Sequence, residues 1–166
     1  IPLSTSFDHV GPLTASVADA AVLWAALAHR PVPGLTRPAG HSLTLVRLRG
    51  YFDTPVSPVV REAFERALKY LARAGATIVD AELPGAASIL EHYVNIVLPE
   101  GAAWHAPYLD ARAGDYSPAV RARFEAGRAI PATRYVEARA FCRGLRASID
   151  GWLSDADALV LPTMPI

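Results

Sequence analysis

Three hydroxyl side chains near the start of the chain, Ser4, Thr5 and Ser6, are followed by Asp8 and His9. Serine, histidine and aspartate are the residue types of a hydrolase triad, in which the histidine takes the serine proton and the carboxylate orients the histidine. Triad members must converge in space, and close neighbours in sequence rarely do so. The G-x-S-x-G nucleophile elbow is also absent from the sequence. The pattern therefore favours hydrogen bonding within a turn or at a strand edge over a triad.

The histidines and the cysteine do not have the spacing of a metal site. No two histidines are four residues apart, and the H-E-x-x-H motif of zinc enzymes is absent. The histidines are His9, His29, His41, His92 and His105. His105 follows Trp104 on a predicted helix, so we expect it to be packed or hydrogen-bonded. Cys142, the single cysteine, falls on an apolar helix stripe and is predicted to be a small buried hydrophobic residue.

The remaining candidates for chemistry are basic residues, and none has the context of a site. Glycine-rich phosphate loops are absent, and Lys69 is the sole lysine. Two helical stretches are rich in arginine and also carry Glu125 and Glu137. These arginines are predicted to lie on solvated helix faces with intrahelical ion pairs, in preference to an anion site. They are Arg121, Arg123, Arg128, Arg134, Arg139, Arg143 and Arg146.

Hydrophobic periodicity and cap signals predict an α/β protein in which helices flank the strands. Ser57-Pro58 starts a helix whose apolar positions, Val60, Phe64, Leu68 and Leu71, share one face. Gly75 is its predicted C-terminal cap. Strands over 43–48 and 76–79 surround this helix, which is typical of parallel strands. The other predicted elements are helices over 16–28, 86–98, 117–127 and 132–153, a loop over 31–42 and a strand over 157–161.

Two of these elements carry specific expectations. Pro99 lacks the amide hydrogen that a helix needs, so it is predicted to end or bend the helix that begins near residue 86. The last strand has an unbroken apolar run from Ala158 to Leu161, as expected for a strand that is buried on both faces.

Composition narrows the classes of protein. The chain has 166 residues, of which 52% are hydrophobic, and its formal net charge is zero. A nucleic-acid binder usually has a basic excess, so that class is disfavoured. No apolar stretch reaches the roughly 18 residues of a membrane span. The single cysteine suits a reducing compartment, and we expect a cytoplasmic protein and one domain over 1–166.

Several stretches, in the same order, resemble the amidase signature family. The opening, from Pro2 through Ser6-Phe7-Asp8-His9-Val10-Gly11-Pro12 to Ala21, is similar to the family's S-L-D-x-x-G-P stretch and the helix start that follows it. The end, Asp157-Ala158-Leu159-Val160-Leu161-Pro162-Thr163-Met164-Pro165, is similar to the D-x-L-x-x-P-T-x-P strand. Residues 49–53, 75–79 and 127–138 also fit. One departure is Ala15, which stands where the family usually has arginine.

The resemblance implies a segment of the larger amidase signature fold, a mixed β-sheet flanked by α-helices. In this family a serine attacks an amide carbonyl, a cis-serine and a lysine relay the proton, and backbone N–H groups hold the oxyanion. These residues precede the S-L-D-x-x-G-P stretch, so no catalytic residue is carried over to this chain. The chain is therefore expected to be an interior-to-C-terminal piece of an amidase, truncated at both ends and inactive alone. Thr163 is the residue expected near the substrate, with a backbone-bonded strand-end hydroxyl as the alternative.

The resemblance also implies partners and alternatives. It implies a small-molecule amide substrate and no metal or organic cofactor. Nucleic-acid and membrane partners are not expected, because of the zero net charge and the short apolar stretches. An exposed strand edge or apolar face, with 157–161 the main candidate, is expected to lead to a homo-oligomer or to association with the missing part of the fold. The alternatives are the amidase-like subunit of a glutamine-dependent tRNA amidotransferase and a non-catalytic α/β interaction domain.

Overall fold

The structure is a computed structural model that describes residues 2–36 and 42–166. Among these, residues 2–6 and 42–166 form one compact unit, and residues 7–36 form a second. The second unit contains helix α1, Val17–Ala28, in which Ser16 Oγ accepts a hydrogen bond from the Asp19 amide, as the sequence predicts. Part of the predicted loop over 31–42, including His41, lies outside the described residues.

The first unit contains a three-stranded sheet with the order β2-β1-β3, formed by β1 (Thr44–Leu48), β2 (Thr77–Ala81) and β3 (Ala158–Val160). Both pairings are parallel, with Val46 opposite Val79 on one side and opposite Leu159 on the other. The predicted α/β class and the parallel strands around the first β-α-β unit are therefore confirmed. The prediction for the last strand is wrong in one respect. Its residues are only partly buried, because β3 lies at the edge of the described sheet.

The β-α-β unit is closed by helix α2, Pro58–Arg73. Ser57 caps its start by accepting from the Val60 amide, and Pro58 occupies the first turn. Gly75 follows the helix end with φ +93°, and its amide donates to Ala72, so the predicted glycine stop is confirmed. Leu68 is buried and Phe64 is half-buried, so the predicted apolar face does point inward.

Phe64→Ala is expected to lower the free energy of unfolding by about 2 kcal/mol, less than a fully buried ring would cost. The ring is half-buried and also lies 5.6 Å from the Arg47 guanidinium carbon. Urea unfolding measures the difference, with Tyr70→Ala as the control because Tyr70 on the same helix is 75% exposed. Equal stability of the Phe64→Ala and Tyr70→Ala proteins would show that α2 packs through another face.

Three further helices form a layer in the first unit: α3 (Ile89–Arg112), α4 (Pro118–Ala129) and α5 (Ala132–Leu153). Helix α3 packs against both α4 and α5. Short 3-10 turns cover Gly50–Phe52, Ala86–Ser88 and Ala113–Asp115. Helix α3 therefore supplies the surface on which the other two helices assemble.

Pro99 does not end the helix that contains it. Helix α3 runs without interruption through Pro99 and Pro107 to Arg112, so an end at Pro99, the first of the two predicted alternatives, is wrong, and a bend there stays a prediction. A proline removes one amide donor from the helix ladder. Packing of the surrounding residues compensates for this loss, because Ile96 and Val97 before it and Ala102 after it are all buried.

Helices α3 and α4 approach each other closely at glycines. Gly127 on α4 is buried beside the Leu98 carbonyl group of α3. Gly101 on α3 lies beside the Phe124 ring of α4 and the Leu3 backbone. The absence of a side chain at these two positions allows the helix backbones to come together.

Candidate functional site

The carboxylate of Glu100 is the centre of the densest polar cluster in the described part of the chain. Glu100 occupies the middle of α3, one residue after Pro99, and its side chain is only 10% exposed. Residues 4–6 reach it from the start of the chain, and Tyr135 and Arg139 reach it from α5. We call these six residues, Ser4, Thr5, Ser6, Glu100, Tyr135 and Arg139, the Glu100 cluster.

Both carboxylate oxygens of Glu100 accept several hydrogen bonds. Oε2 accepts from Ser4 Oγ at 2.6 Å and from the Ser6 amide at 3.0 Å. It also lies 3.5 Å from Thr5 Oγ1. Oε1 accepts from Ser6 Oγ at 2.5 Å and from the Tyr135 hydroxyl at 2.8 Å. The carboxylate is therefore satisfied by partners within the protein, as a buried charge requires.

Arg139 supplies the positive charge of the cluster. Its Nη1 lies 3.4 Å from Glu100 Oε1 and also donates to Ser6 Oγ. The guanidinium carbon lies 6.0 Å from the centre of the Tyr135 ring. The Ser6 hydroxyl thus accepts from Arg139 while it donates to Glu100, and residues 4–6 are held against α3 and α5 by charge-assisted hydrogen bonds.

The cluster lowers the pKa of Glu100 from its ordinary 4.5 to about 2. Burial alone would raise the pKa, because it disfavours the charged form. The hydroxyls of Ser4 and Ser6, the Ser6 amide and the Tyr135 hydroxyl outweigh burial, because all of them donate to the ionised form. Glu100 is therefore an anion at any physiological pH.

The low pKa of Glu100 predicts that acid weakens the fold. A carboxyl whose pKa is lower in the folded than in the unfolded state stabilises the protein above the unfolded value. That stabilisation is lost as the pH falls from 4.5 towards 2. We expect a loss on the order of 2 kcal/mol over this range. Urea unfolding at a series of pH values measures it, and a Glu100→Gln protein with the same acid-dependent loss would contradict the assignment.

The arrangement does not suit Glu100 to act as a general base towards Ser6 or Ser4. An efficient base has a pKa near the working pH, whereas that of Glu100 is about 2. Ser4 is 1% exposed, so a substrate carbonyl cannot reach its oxygen. The geometry instead supports an anchoring role, in which one buried anion joins the start of the chain to two helices.

The triad residues considered above are not brought together by this cluster. Asp8 and His9 belong to the second compact unit, where His9 Nδ1 lies 2.5 Å from the Phe7 carbonyl oxygen. The hydroxyls of residues 4–6 bond to Glu100, 94 to 96 residues away, and the local turn or strand-edge bonding predicted for them is wrong. The sequence signal for this cluster was Glu100 itself, because an acid inside the apolar run from Ile96 to Ala102 is predicted to be buried and a buried charge needs partners.

The predictions for the helical arginines and for Cys142 are confirmed only in part. Arg121 pairs with Glu125 and Arg134 with Glu137 within their helices, as predicted, whereas Arg128 reaches Asp110 on α3. The prediction for Arg139 is wrong in one respect, because this partly exposed side chain has its ion-pair partner, Glu100, on α3 and not on its own helix. Cys142 is half-buried and not fully buried, like Leu145 and Ile149 on the same apolar stripe of α5.

Thr163, expected near the substrate, and Lys69, the sole lysine, both lie at exposed positions. Thr163 is exposed three residues after β3, and Lys69 is exposed on α2.

No group of three or more His, Cys, Asp or Glu side chains within 2–36 and 42–166 could hold a metal ion. None of the helices in those ranges has the length and apolar character needed to cross a membrane.

His105 is packed and hydrogen-bonded, as predicted. Its Nδ1 lies 2.9 Å from the Tyr116 hydroxyl, and its Nε2 lies 3.2 Å from the Pro2 carbonyl oxygen. The ring also stacks on Phe124, with the two ring centres 4.6 Å apart. His105 is therefore fixed on both edges and on one face.

The fold and the sequence together place the chain in one class of α/β proteins. A family model described as Amidase matches residues 1–166, and the chain belongs to the amidase family. The amidase of Pseudomonas putida is 30% identical over 177 residues, which cover 99% of this chain and 38% of that relative. The resemblance identified from the sequence motifs is thus confirmed.

Two further comparisons agree with the assignment of this chain to the amidase family. A crystal structure of an amidase matches with a TM-score of 0.86 and 34% identity, over 100% of this chain and 37% of that chain. The glutamyl-tRNA(Gln) amidotransferase A-type subunit of Myxococcus xanthus is 32% identical over 127 residues, or 69% of this chain and 26% of that relative. The chain spans about 38% of the length of the Pseudomonas putida amidase, and the family includes proteins named as subunits.

Proposed function

We propose that the protein containing this chain hydrolyses the C–N bond of a carboxamide to a carboxylate and ammonia or an amine. The observation that carries this proposal is the match of the amidase family model to every residue of the chain. Water supplies the oxygen that joins the acyl carbon and the proton that leaves with the amine. The reaction proceeds through an acyl-serine, as the resemblance implies.

We place the catalytic lysine and both serines of that protein outside this chain. The geometry of the described hydroxyls supports this view, because Ser4 and Ser6 donate to an anion with a low pKa. Lys69 is exposed on α2, whereas an activating lysine needs a serine within hydrogen-bond reach. We also propose that residues 1–166 are part of a single amidase domain, to which this chain contributes scaffold.

We propose Thr163 as the residue of this chain that lies near the substrate. Its position supports this role, because open parallel sheets bind ligands outside the carboxyl ends of their strands. Thr163 follows β3 at that end and is exposed. We further propose that the protein is cytoplasmic, which its single cysteine suits, and that it forms a homo-oligomer or associates with the remainder of the fold.

The amidase-like subunit of an amidotransferase is the second candidate function. The 32% identity to the Myxococcus xanthus amidotransferase protein supports it. That relative matches over 69% of this chain, whereas the Pseudomonas putida amidase matches over 99%. The greater coverage favours the amidase. Hydrolysis that requires no other protein would support the amidase, and activity that appears only with partner subunits would support the amidotransferase.

The test is release of ammonia or amine by the full-length protein from a panel of aliphatic and aryl carboxamides and 4-nitroanilides. We expect turnover, an increased KM in Thr163→Val because a contact near the substrate is lost, and unchanged kcat and KM in Lys69→Ala. Lys69→Ala is the matched control, since both residues are exposed. Activity abolished in Lys69→Ala would overturn the placement of the catalytic lysine, and no turnover across the panel would count against the amidase.

A further inference from the structure

Residues 49–57, which connect β1 to α2, form a loop whose shape is held by two arginines. We call this segment the 49–57 loop. Arg61 Nη2, from the first turn of α2, donates to the Asp53 carbonyl oxygen at 2.6 Å and to the Val56 carbonyl oxygen at 3.4 Å. Arg49 Nε lies 3.1 Å from Asp53 Oδ2. The side chain of Val56 is buried, so the second half of the loop is held by polar and apolar contacts together.

The 49–57 loop brings the Ser57 amide to a second segment, which follows β3. That amide donates to the Pro165 carbonyl oxygen at 2.7 Å. Ser57 is the N-cap of α2, and its own amide precedes the first helical turn, so the helix backbone offers it no acceptor. In a capping box the side chain of the third helical residue accepts from this amide, but that residue is Val60. The Ser57 amide therefore serves the segment after β3.

Residues 161–165, the segment after β3, carry Thr163 and do not extend the strand. Pro162 and Pro165 have no amide hydrogen, so neither can donate to a neighbouring strand. Thr163 lies between these two prolines. Its position is set from one side by the pairing of β3 with β1 and from the other side by the Ser57–Pro165 hydrogen bond.

We propose that Arg61 is a positioning residue for Thr163, and that it acts through the 49–57 loop and the Ser57–Pro165 hydrogen bond. Its guanidinium bonds to carbonyl oxygens of the loop, and the loop ends at the amide that holds Pro165. Loss of the guanidinium leaves those carbonyls without their charged donor and releases the loop from the shape that aims the amide. The inference rests on the proposed function only in that Thr163 is taken to lie near the substrate.

The chemistry of arginine suits this role. The planar guanidinium carries several N–H donors in a fixed geometry, so one group can hold two carbonyl oxygens at once. A lysine ammonium keeps the charge but is a compact group on a flexible stem, so Arg61→Lys is expected to replace the contact only in part. Arg61 is exposed, so its truncation to alanine opens no cavity in the core. The positioning role can therefore be tested apart from global stability.

The first measurement is NMR of Met164 in full-length protein that carries carbon-13 in its methionine methyl groups. Met164 is exposed and directly follows Thr163, and Met164→Leu identifies its signal. We expect Arg61→Ala to shift or broaden that signal and Arg61→Lys to restore it in part. Arg66→Ala is the matched control, because Arg66 is an exposed arginine on the same helix that pairs with Glu62. An identical Met164 signal in the wild-type, Arg61→Ala and Arg66→Ala proteins would overturn the proposal.

The second measurement is the kinetics of the full-length protein with a carboxamide that it hydrolyses. We expect Arg61→Ala to raise KM about threefold or more with little change in kcat, because displacement of a substrate contact from a distance weakens binding. The effects of Arg61→Ala and Thr163→Val should not add, because both substitutions remove the same contact. Additive effects, or a KM in Arg61→Ala equal to that in Arg66→Ala, would count against the positioning role.

The two measurements distinguish failure of this inference from failure of the proposed function. No turnover of any carboxamide, with a Met164 signal that Arg61→Ala changes and Arg66→Ala does not, would count against the proposed function and support the positioning of Thr163 by Arg61. Turnover with a Met164 signal that Arg61→Ala leaves unchanged would support the proposed function and overturn the inference.

Discussion

Glu100→Ala is expected to destabilise the protein by roughly 2–4 kcal/mol, because it removes a buried carboxylate to which several segments of the chain donate hydrogen bonds. The substitution removes the acceptor of four hydrogen bonds, those from the hydroxyls of Ser4, Ser6 and Tyr135 and from the Ser6 amide. It also leaves the guanidinium of Arg139 without its carboxylate partner. Buried donors without acceptors each cost about 1–3 kcal/mol, so several lost together account for an effect of this size.

Urea unfolding of the full-length protein, or of the chain if it folds alone, measures this effect. Glu125→Ala is the matched control, since Glu125 pairs with Arg121 on the surface and its side chain is 53% exposed. We expect that control to change stability by less than about 1 kcal/mol. Glu100→Gln should fall between the two, because it keeps the shape but replaces one acceptor oxygen by a donor. Equal stability of Glu100→Ala and Glu125→Ala would show that the Glu100 cluster anchors nothing.

Gly127→Ala is expected to lower stability by about 3 kcal/mol, although alanine is the better helix former. A Cβ at Gly127 would lie 2.6 Å from the carbonyl carbon of Leu98 and 3.1 Å from the Ala102 Cβ. The first of these neighbours is backbone in the middle of α3, so it cannot rotate aside. Helices α3 and α4 would have to separate, and the buried contacts around Phe124 and Leu109 would loosen.

Gly144→Ala is the control for this substitution. Gly144 is also inside a helix, but nothing lies within 4 Å of a Cβ built there. We expect Gly144→Ala to raise stability by about 0.5–1 kcal/mol through helix propensity. Thermal unfolding of the two variants therefore gives shifts of opposite sign. A stabilised Gly127→Ala protein would mean that the two helices are farther apart than the structure places them.

The helix starts could be predicted from the sequence because a capping side chain bonds to an amide of the helix that it begins. Ser16, Ser57 and Ser117 each accept from an amide three residues on, and each begins a helix. The strand order β2-β1-β3 depends on a pairing between segments that are far apart in sequence. The Thr44 amide of β1 donates to Asp157, which directly precedes β3 and lies 113 residues later in the chain. No local pattern specifies such a pairing, and only the family resemblance placed the last strand in the same fold.

The candidate site was less predictable than the fold. Its members come from residues 4–6, the middle of α3 and the first turns of α5, and their spacing in sequence has no regular period. Pro99 added to the difficulty, because its expected break would have separated Glu100 from the apolar stretch before it. Arg139 resembled its neighbours on α5, and only tertiary packing distinguishes it from a solvated arginine.

The most direct test of the anchoring role of the Glu100 cluster is covalent labelling of the full-length protein by a fluorophosphonate, followed by peptide mapping. Such a reagent reacts with a serine that is activated as a nucleophile. Ser4 and Ser6 donate to an anion of low pKa, so neither is activated. We expect one labelled serine outside residues 1–166, with labelling blocked by a carboxamide substrate. A label on Ser4 or Ser6 would contradict this role, because the Glu100 cluster would then be a catalytic centre and not an anchor.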